Sequence, residues 1–355
     1  MGTRFTTNDP DRESKMTIES NRRQVLKGAG GALTAAGVMG QAGGRESADR
    51  VDISEKTDVD DRDADLLPNT WMHSVGTTPF RGAHGHRNWS PYPIARRAEN
   101  LNEVGFNAIG LIADDIAHIL EFETGFANKS TTAGLNELND LLKENNLDFV
   151  ELEFLTEWVL PEDDYRREAE RETRELLLEA ADILEANHIK IGNINGYPVS
   201  MEDVQDRFAD ISAEFAEVDT EVGLEFFPVD PNVQSIHEAL EATSETDNGG
   251  LYLDLWHNIK LDVDFDNIAS LSGDDIVAVE FNDGYIETEL SFLEETINLR
   301  KVPGEGEFPI SDWVSAVREG GFDGPWGLEI LSEEFRRLEM VDAYPLAYNA
   351  GAKYV

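Results

Sequence analysis

Four short apolar segments in the second half of the chain each end in an acid. Gly223-Leu224-Glu225-Phe226 carries Glu225, and Tyr252-Leu253-Asp254-Leu255-Trp256-His257 carries Asp254 and His257. Val279-Glu280-Phe281-Asn282-Asp283 carries Glu280 and Asp283, and Gly327-Leu328-Glu329-Ile330 carries Glu329. The chain holds 72 Asp and Glu residues, so any one of these alone reads as a solvated surface acid. Each, however, is set among aliphatic or aromatic neighbours, where an unpaired carboxylate costs several kcal/mol unless a cation offsets it. Four such acids brought to one place call for a divalent ion. A hard, oxygen-rich donor set with one imidazole nearby favours Mn2+ or Mg2+, with Co2+ or Zn2+ as less fitting alternatives. There is no cysteine, which excludes a disulfide, a thiolate nucleophile and Cys-held zinc or clusters.

The elements that must position these acids alternate. Strand candidates are Trp71 to Val75, Asn107 to Ile112, Phe149 to Leu155, Ile189 to Ile194, Gly223 to Phe227, Leu251 to Trp256, Ile276 to Phe281 and Trp326 to Ile330. Amphipathic helical stretches separate them, among them Pro93 to Val104, Thr131 to Asn145, Asp164 to Asn187, Met201 to Ala216 and Pro309 to Glu319. Eight such units predict an α/β fold, a (β/α)8 TIM barrel in a single domain, whose active site lies at the C-terminal ends of the strands. A doubly wound open sheet is the alternative architecture. No Gly-x-Gly-x-x-Gly follows the first strand, which argues against a dinucleotide fold.

At these residues the chain resembles the xylose-isomerase-like superfamily of sugar isomerases, sugar-phosphate epimerases and inosose dehydratases, from about Trp71 to the C-terminus. In that family a Glu ends strand five, an Asp-x-x-His ends strand six, a His-x-x-Asp ends strand seven, a Gly-x-Gly loop precedes the last unit and a Glu ends strand eight. The matching residues are Glu225, Asp254 with His257, Glu280 with Asp283, Pro303-Gly304-Glu305-Gly306, and Glu329. One position departs: Glu280 stands where the family places a metal-binding His, which makes the donor set harder and leaves the exact reaction open. The resemblance implies a divalent metal on Glu225, Asp254, Glu280 and Glu329, and proton abstraction beside a substrate carbonyl with the ion as Lewis acid. It also implies Glu225 and Glu329 as paired acid and base, with His257 donating a hydrogen bond to a substrate oxygen. Isomerisation, epimerisation and dehydration of a keto-inositol or keto-sugar are all compatible with such a site.

Other residues carry weaker expectations. Glu153, on one face of the third strand with Glu151, and Arg300, just before the glycine loop, are expected to contact substrate together with His257 and Asp283. Glu157, Lys190 and Asn193 are further candidates, each equally readable as structural. The loop Arg81 to Arg87, with His84 and His86, could shape the mouth, bind an anionic group or be a plain glycine-rich turn.

The formal net charge is -43, yet 40% of residues are hydrophobic, so the charge decorates a folded chain rather than a disordered polyanion. Acids spread along the sequence suit solvation in high salt, where screening makes self-repulsion tolerable. Nucleic acid is excluded as a partner by that surface. Asn21-Arg22-Arg23-Gln24-Val25-Leu26-Lys27, followed by the small apolar run Gly28 to Gly40, resembles a twin-arginine export signal. The run is too short for a stable membrane anchor, which takes about 20 residues. The expected organisation is therefore 1–45 signal, 46–66 polar acidic linker and 67–355 barrel. It describes an exported protein of a salt-loving cell, or a cytoplasmic one if the signal is inactive, acting on a small carbohydrate alone or as a homo-oligomer.

Two other classes are weighed. An abasic-site endonuclease on the same barrel needs several His ligands and a cationic groove, whereas this chain has seven His in all and only His257 in the expected frame. An exported, non-catalytic sugar- or metal-binding protein would need the ligands but not two proton-transfer groups flanking the ion.

Overall fold

The computed structural model describes residues 66–68 and 88–355. Eight strands run parallel: β1 (Leu66–Pro68), β2 (Ala108–Ile112), β3 (Phe149–Leu155), β4 (His188–Gly192), β5 (Glu221–Glu225), β6 (Gly249–Asp254), β7 (Ile276–Phe281) and β8 (Trp326–Leu328). The hydrogen-bonded order is β1-β8-β7-β6-β5-β4-β3-β2, and β1 also lies against β2. The sheet thus curls into a nearly closed barrel. Helices α1 (Ile94–Val104), α2 (Ala113–Phe122), α3 (Thr131–Glu144), α4 (Arg167–Leu184), α5 (Met201–Ala216), α6 (Ile236–Thr243), α7 (Leu255–Lys260) and α8 (Phe265–Ala269) follow β1 to β6. Helices α9 (Phe292–Asn298), α10 (Ile310–Glu319) and α11 (Met340–Gly351) complete the outer layer. No helix of the described residues is long and apolar enough to cross a membrane.

The strand that pairs with β8 is Leu66–Pro68, in register with Trp326–Leu328, at the junction expected between linker and barrel. Its two leucines are fully enclosed, although the sequence hides them behind an aspartate run. The expected first strand, Trp71 to Val75, lies outside the described residues, as do the signal segment, most of the linker and the Arg81 to Arg87 loop.

The strands alternate, with register irregularities at Glu153/Leu155 and Leu251/Tyr252. Leu152, Ile189, Ile191, Val222, Leu224, Leu251, Leu253, Val279 and Phe281 face outward into the layer of helices and form the main core. The inward set is unlike the branched aliphatic filling usual in such barrels: Glu151, Glu153, His188, Lys190, Tyr252 and Glu280 are all buried and touch one another. Gly223 on β5 makes room for this polar column, because a Cβ there would come within 3.2 Å of the Tyr252 ring.

Candidate functional site

The upper end of the polar column is a ring of carboxylates. Register sets it: Asp254 on β6 pairs with Glu280 on β7, and Glu280 with Gly327 on β8, one residue before the strand ends. A Cβ on Gly327 would sit 2.6 Å from that of Glu280, so the glycine lets Glu280 turn inward. Glu329 follows β8, and Glu225 closes β5. Oxygen atoms of Glu225, Asp254, Glu280 and Glu329 all lie within 4.8 Å of one another, and His257 joins Glu225 and Asp254 in a second such group.

His257 reaches the ring because Asp254 caps the helix that carries it. Asp254 Oδ1 accepts from the Trp256 N–H at 2.7 Å, fixing the first turn of α7. His257 Nε2 then stands 3.3 Å from both Glu225 Oε1 and Asp254 Oδ2. The Phe227 ring packs edge-on to His257 at 4.4 Å between centroids. His257 Nδ1 is buried without a hydrogen-bond partner.

Two internal cations face the ring. Lys190 Nζ lies 3.1 Å from Glu153, 3.0 Å from Glu280 and 3.3 Å from Glu329. Arg300 Nη1 lies 2.9 Å from Asp254 and 2.8 Å from Glu329. Burial alone would discharge Lys190, but Glu153, Glu280 and Glu329 outweigh it and hold its pKa well above the usual lysine range. For Glu280, burial and the neighbouring Glu329 push the pKa well up. For Glu329, burial is overcome by Lys190 and Arg300, and the pKa falls to about 2. The two acids are therefore inequivalent: Lys190 and Arg300 favour the charged form of Glu329, whereas burial and Glu329 disfavour that of Glu280.

Below the ring, Tyr252 OH lies 3.1 Å from Glu280 and 2.7 Å from Glu151, and Glu151 is 2.6 Å from His188 Nε2. Burial is the largest influence on Glu151 and raises its pKa, but His188, Lys190 and Tyr252 together outweigh it, so the net shift is down. Tyr252 and Lys190 were the residues hardest to assign by type. Their signal is parity: Tyr252 is two residues before Asp254 and Lys190 pairs with Glu153 across β3 and β4, so each shares the inward face of an acid.

A divalent ion fits this donor set. Among the described residues, five carboxylates, Glu153, Glu225, Asp254, Glu280 and Glu329, face the two cations Lys190 and Arg300. When all are ionised, the surplus negative charge exceeds one, and buried like charges at this spacing require a counter-ion or a proton. The raised pKa of Glu280 is the response expected without one.

The remaining expected residues are placed as follows. Glu153 is enclosed against Lys190 and Arg300 against Asp254 and Glu329, at the edge of the ring. Asp283 turns instead to the glycine loop. Its Oδ1 accepts from the N–H groups of Gly284 at 2.8 Å and Phe308 at 3.0 Å, and its Oδ2 from Gly304 at 3.0 Å. A Cβ on Gly306 would meet Asp283 Oδ1 at 2.3 Å, which explains why a glycine stands there. Both Asp283 oxygens are engaged by backbone, so the residue expected to contact substrate also holds the loop.

Comparison with known proteins agrees with the barrel fold. Two solved structures align over most of the chain. One is the IOLI protein with a bound zinc atom, at 17% identity and a TM-score of 0.64, covering 82% of this chain and 99% of that one. The other is D-psicose 3-epimerase in the presence of D-fructose, at 16% identity and a TM-score of 0.55, covering 74% and 93%. A 3-dehydroshikimate dehydratase of Pseudomonas aeruginosa is 35% identical over 89 residues, which is 25% of this chain and 14% of that protein. The chain thus matches about a seventh of the dehydratase's length. The family described as xylose isomerase-like TIM barrel matches residues 98–352, and this chain belongs to that family.

Proposed function

We propose that the protein is a divalent-metal-dependent sugar isomerase or epimerase that moves a proton beside a substrate carbonyl. The observation that carries this reading is the meeting of Glu225, Asp254, Glu280 and Glu329 within 4.8 Å at one barrel mouth, with His257 against two of them. The four carboxylates would hold an ion, Mn2+ or Mg2+ by their hardness, and the bound ion would polarise the carbonyl. Glu225 and Glu329 approach from β5 and β8 and would serve as the proton-transferring pair, one on each face of the reacting carbon. Lys190 and Arg300 keep Glu329 ionised, able to accept a proton but weakly basic. A substrate oxygen that takes over the Arg300 contact would free that basicity at the moment it is needed. His257 would donate to a second substrate oxygen, its ring held by Phe227.

Dehydration is the second reading, favoured by the local similarity to the dehydratase. It uses the same base and differs in the loss of a neighbouring hydroxyl. The discriminating experiment is metal analysis of the purified protein, followed by a panel of ketoses, aldoses and inositol ketones in concentrated salt. One divalent ion per chain, and turnover that chelation removes and metal restores, support the reading. Protein that binds no divalent ion and exchanges no substrate proton would overturn it in favour of a binding protein. Accumulation of a dehydrated product would select the second reading.

A further inference from the structure

Beside the carboxylate ring, at the same mouth, a cavity of about 720 Å3 opens between the ends of β2, β3 and β4 and helix α9. That lies within the size of a small-molecule site, about 300–1,000 Å3. None of the four ring carboxylates lines it. Phe154 and Phe292 wall it on the inner side, and both border the ring: Phe292 lies 6.3 Å from the His257 ring, and Phe154 packs on Phe227, which packs on His257. A molecule in this cavity therefore sits next to the reacting group, not on it.

Its polar lining includes two carboxylate–carboxamide pairs, beside Glu170, which is ion-paired to Arg167 and Arg174, and Thr156, which donates to Glu157. Asn88 Nδ2 donates to Asp114 Oδ2 at 2.8 Å, and Asn195 Nδ2 donates to Glu157 Oε1 at 2.6 Å. Asp114 is 6% and Asn88 8% exposed, and Asp114 Oδ1 and Asn88 Oδ1 are buried with no partner among the described residues. Two enclosed acceptors without donors cost free energy until a ligand supplies O–H or N–H groups. A phosphate or carboxylate group has acceptors where donors are needed. The cation at the rim does not reverse this. Arg166 is bound through Nε and Nη2 to Asp164, at 2.9 and 2.6 Å, and lies over the Tyr197 ring at 4.5 Å. The aromatic faces of Tyr197, Phe154 and Phe292 supply what the C–H face of a sugar ring packs on.

We propose that this cavity is a second sugar subsite. It binds a neutral, hydroxyl-bearing ring linked to the one processed at the carboxylates, so that the substrate is a glycoside or disaccharide derivative rather than a free or phosphorylated monosaccharide. The proposal rests on the sugar-converting reading of the ring above and names its substrate class. Asp114 and Asn88 accept from hydroxyls of the distal ring, Glu157 and Asn195 bind a vicinal pair on its other edge, and Tyr197 covers one face.

The test is calorimetric binding in concentrated salt, with and without Mn2+, using D-glucose, D-glucose 6-phosphate, cellobiose, maltose and lactose as probes. At least one disaccharide is expected to bind about tenfold tighter than either monosaccharide. That advantage should disappear in Asn195→Ala and in Tyr197→Leu, each checked for an unchanged melting temperature. Glucose 6-phosphate or glucose binding as tightly as every disaccharide would overturn the proposal. So would a disaccharide advantage that survives both substitutions. Solvent-deuterium exchange into the same sugars separates the two claims. Exchange into a monosaccharide without any disaccharide preference removes the subsite and keeps the proton-transfer reading. A subsite-dependent preference without exchange into any sugar keeps the subsite and removes that reading.

Discussion

Lys190 Nζ stands 3.1 and 3.0 Å from the two oxygens of Glu280, on opposite sides of the barrel interior, one on β4 and the other on β7. Glu280 replaces an imidazole that the family resemblance leads one to expect, and a lysine answers it across the barrel. Removing one member of a buried pair leaves the other uncompensated, at a cost of about 3–5 kcal/mol. Lys190→Met should therefore lower the unfolding free energy by about that amount in chelator, measured by denaturant titration at fixed salt. The double variant Lys190→Met/Glu280→Gln should recover part of the loss. Equal losses in the single and double variants would show that the pair is not coupled.

Asp283 gives a second expectation. It accepts the backbone N–H groups of Gly304 and Phe308 in the glycine loop and that of its own neighbour Gly284, and each buried donor left unpaired costs about 1–3 kcal/mol. Asp283→Ala should destabilise the protein by roughly 2 kcal/mol or more. Amide exchange at Gly304 and Phe308 should accelerate more than in the outer helices. Unchanged protection of those two amides would mean the loop is held by something else.

The pH dependence of stability has a defined sign. Burial raises Glu157 from 4.5 to about 7, and burial likewise raises Asp114 and Asp230 from 3.8 to about 6. The folded state holds these protons more tightly than the unfolded chain. Their contribution is present below the unfolded pKa and is lost as pH climbs through the folded one. Glu329 has the opposite sign: its pKa is lowered, and its contribution is lost as pH falls from 4.5 toward 2. Between about pH 5 and 8 the raised group dominates, so the melting temperature should fall with rising pH across that window. Glu157→Gln should flatten the slope; an identical slope in wild type and variant would contradict the assignment.

Much of this was legible because acids inside aliphatic strands are conspicuous. Glu225, Asp254, Glu280 and Glu329 stand out against Leu224, Leu253, Val279 and Leu328, and alternation alone puts them on one face. The barrel order follows from the same pattern. Less visible were residues whose type suits a core as well as a site. Tyr252 reads as an ordinary strand aromatic until its contact with Glu280 is known, and Lys190, a candidate by its place on the fourth strand, is equally readable as structural until β4 is seen to face β7. Leu66–Pro68 was concealed because three apolar residues after an aspartate run carry no periodicity. The Asp114–Asn88 and Glu157–Asn195 pairs join residues 26 and 38 apart, and no local pattern reports such contacts.

The acidic surface leads to a fourth expectation. With a formal net charge of -43, self-repulsion should weaken the folded state as screening is withdrawn. The melting temperature should rise between about 0.1 M and 3 M KCl. A flat profile would show that the surface charge is locally compensated.

The most direct test of the proton-transfer account is Glu329→Gln, followed by solvent-deuterium incorporation into substrate. The substitution keeps the size and one coordinating oxygen but removes the basic group. Loss of the charge beside Lys190 and Arg300 should lower the melting temperature, but with metal in excess the variant should stay folded and loaded, while turnover and deuterium incorporation should fall together by about 10²–10⁴-fold, the usual worth of a positioned acid or base. Full turnover and full deuterium incorporation with metal still bound would contradict the account, because the proton would then be moving through a group other than Glu329.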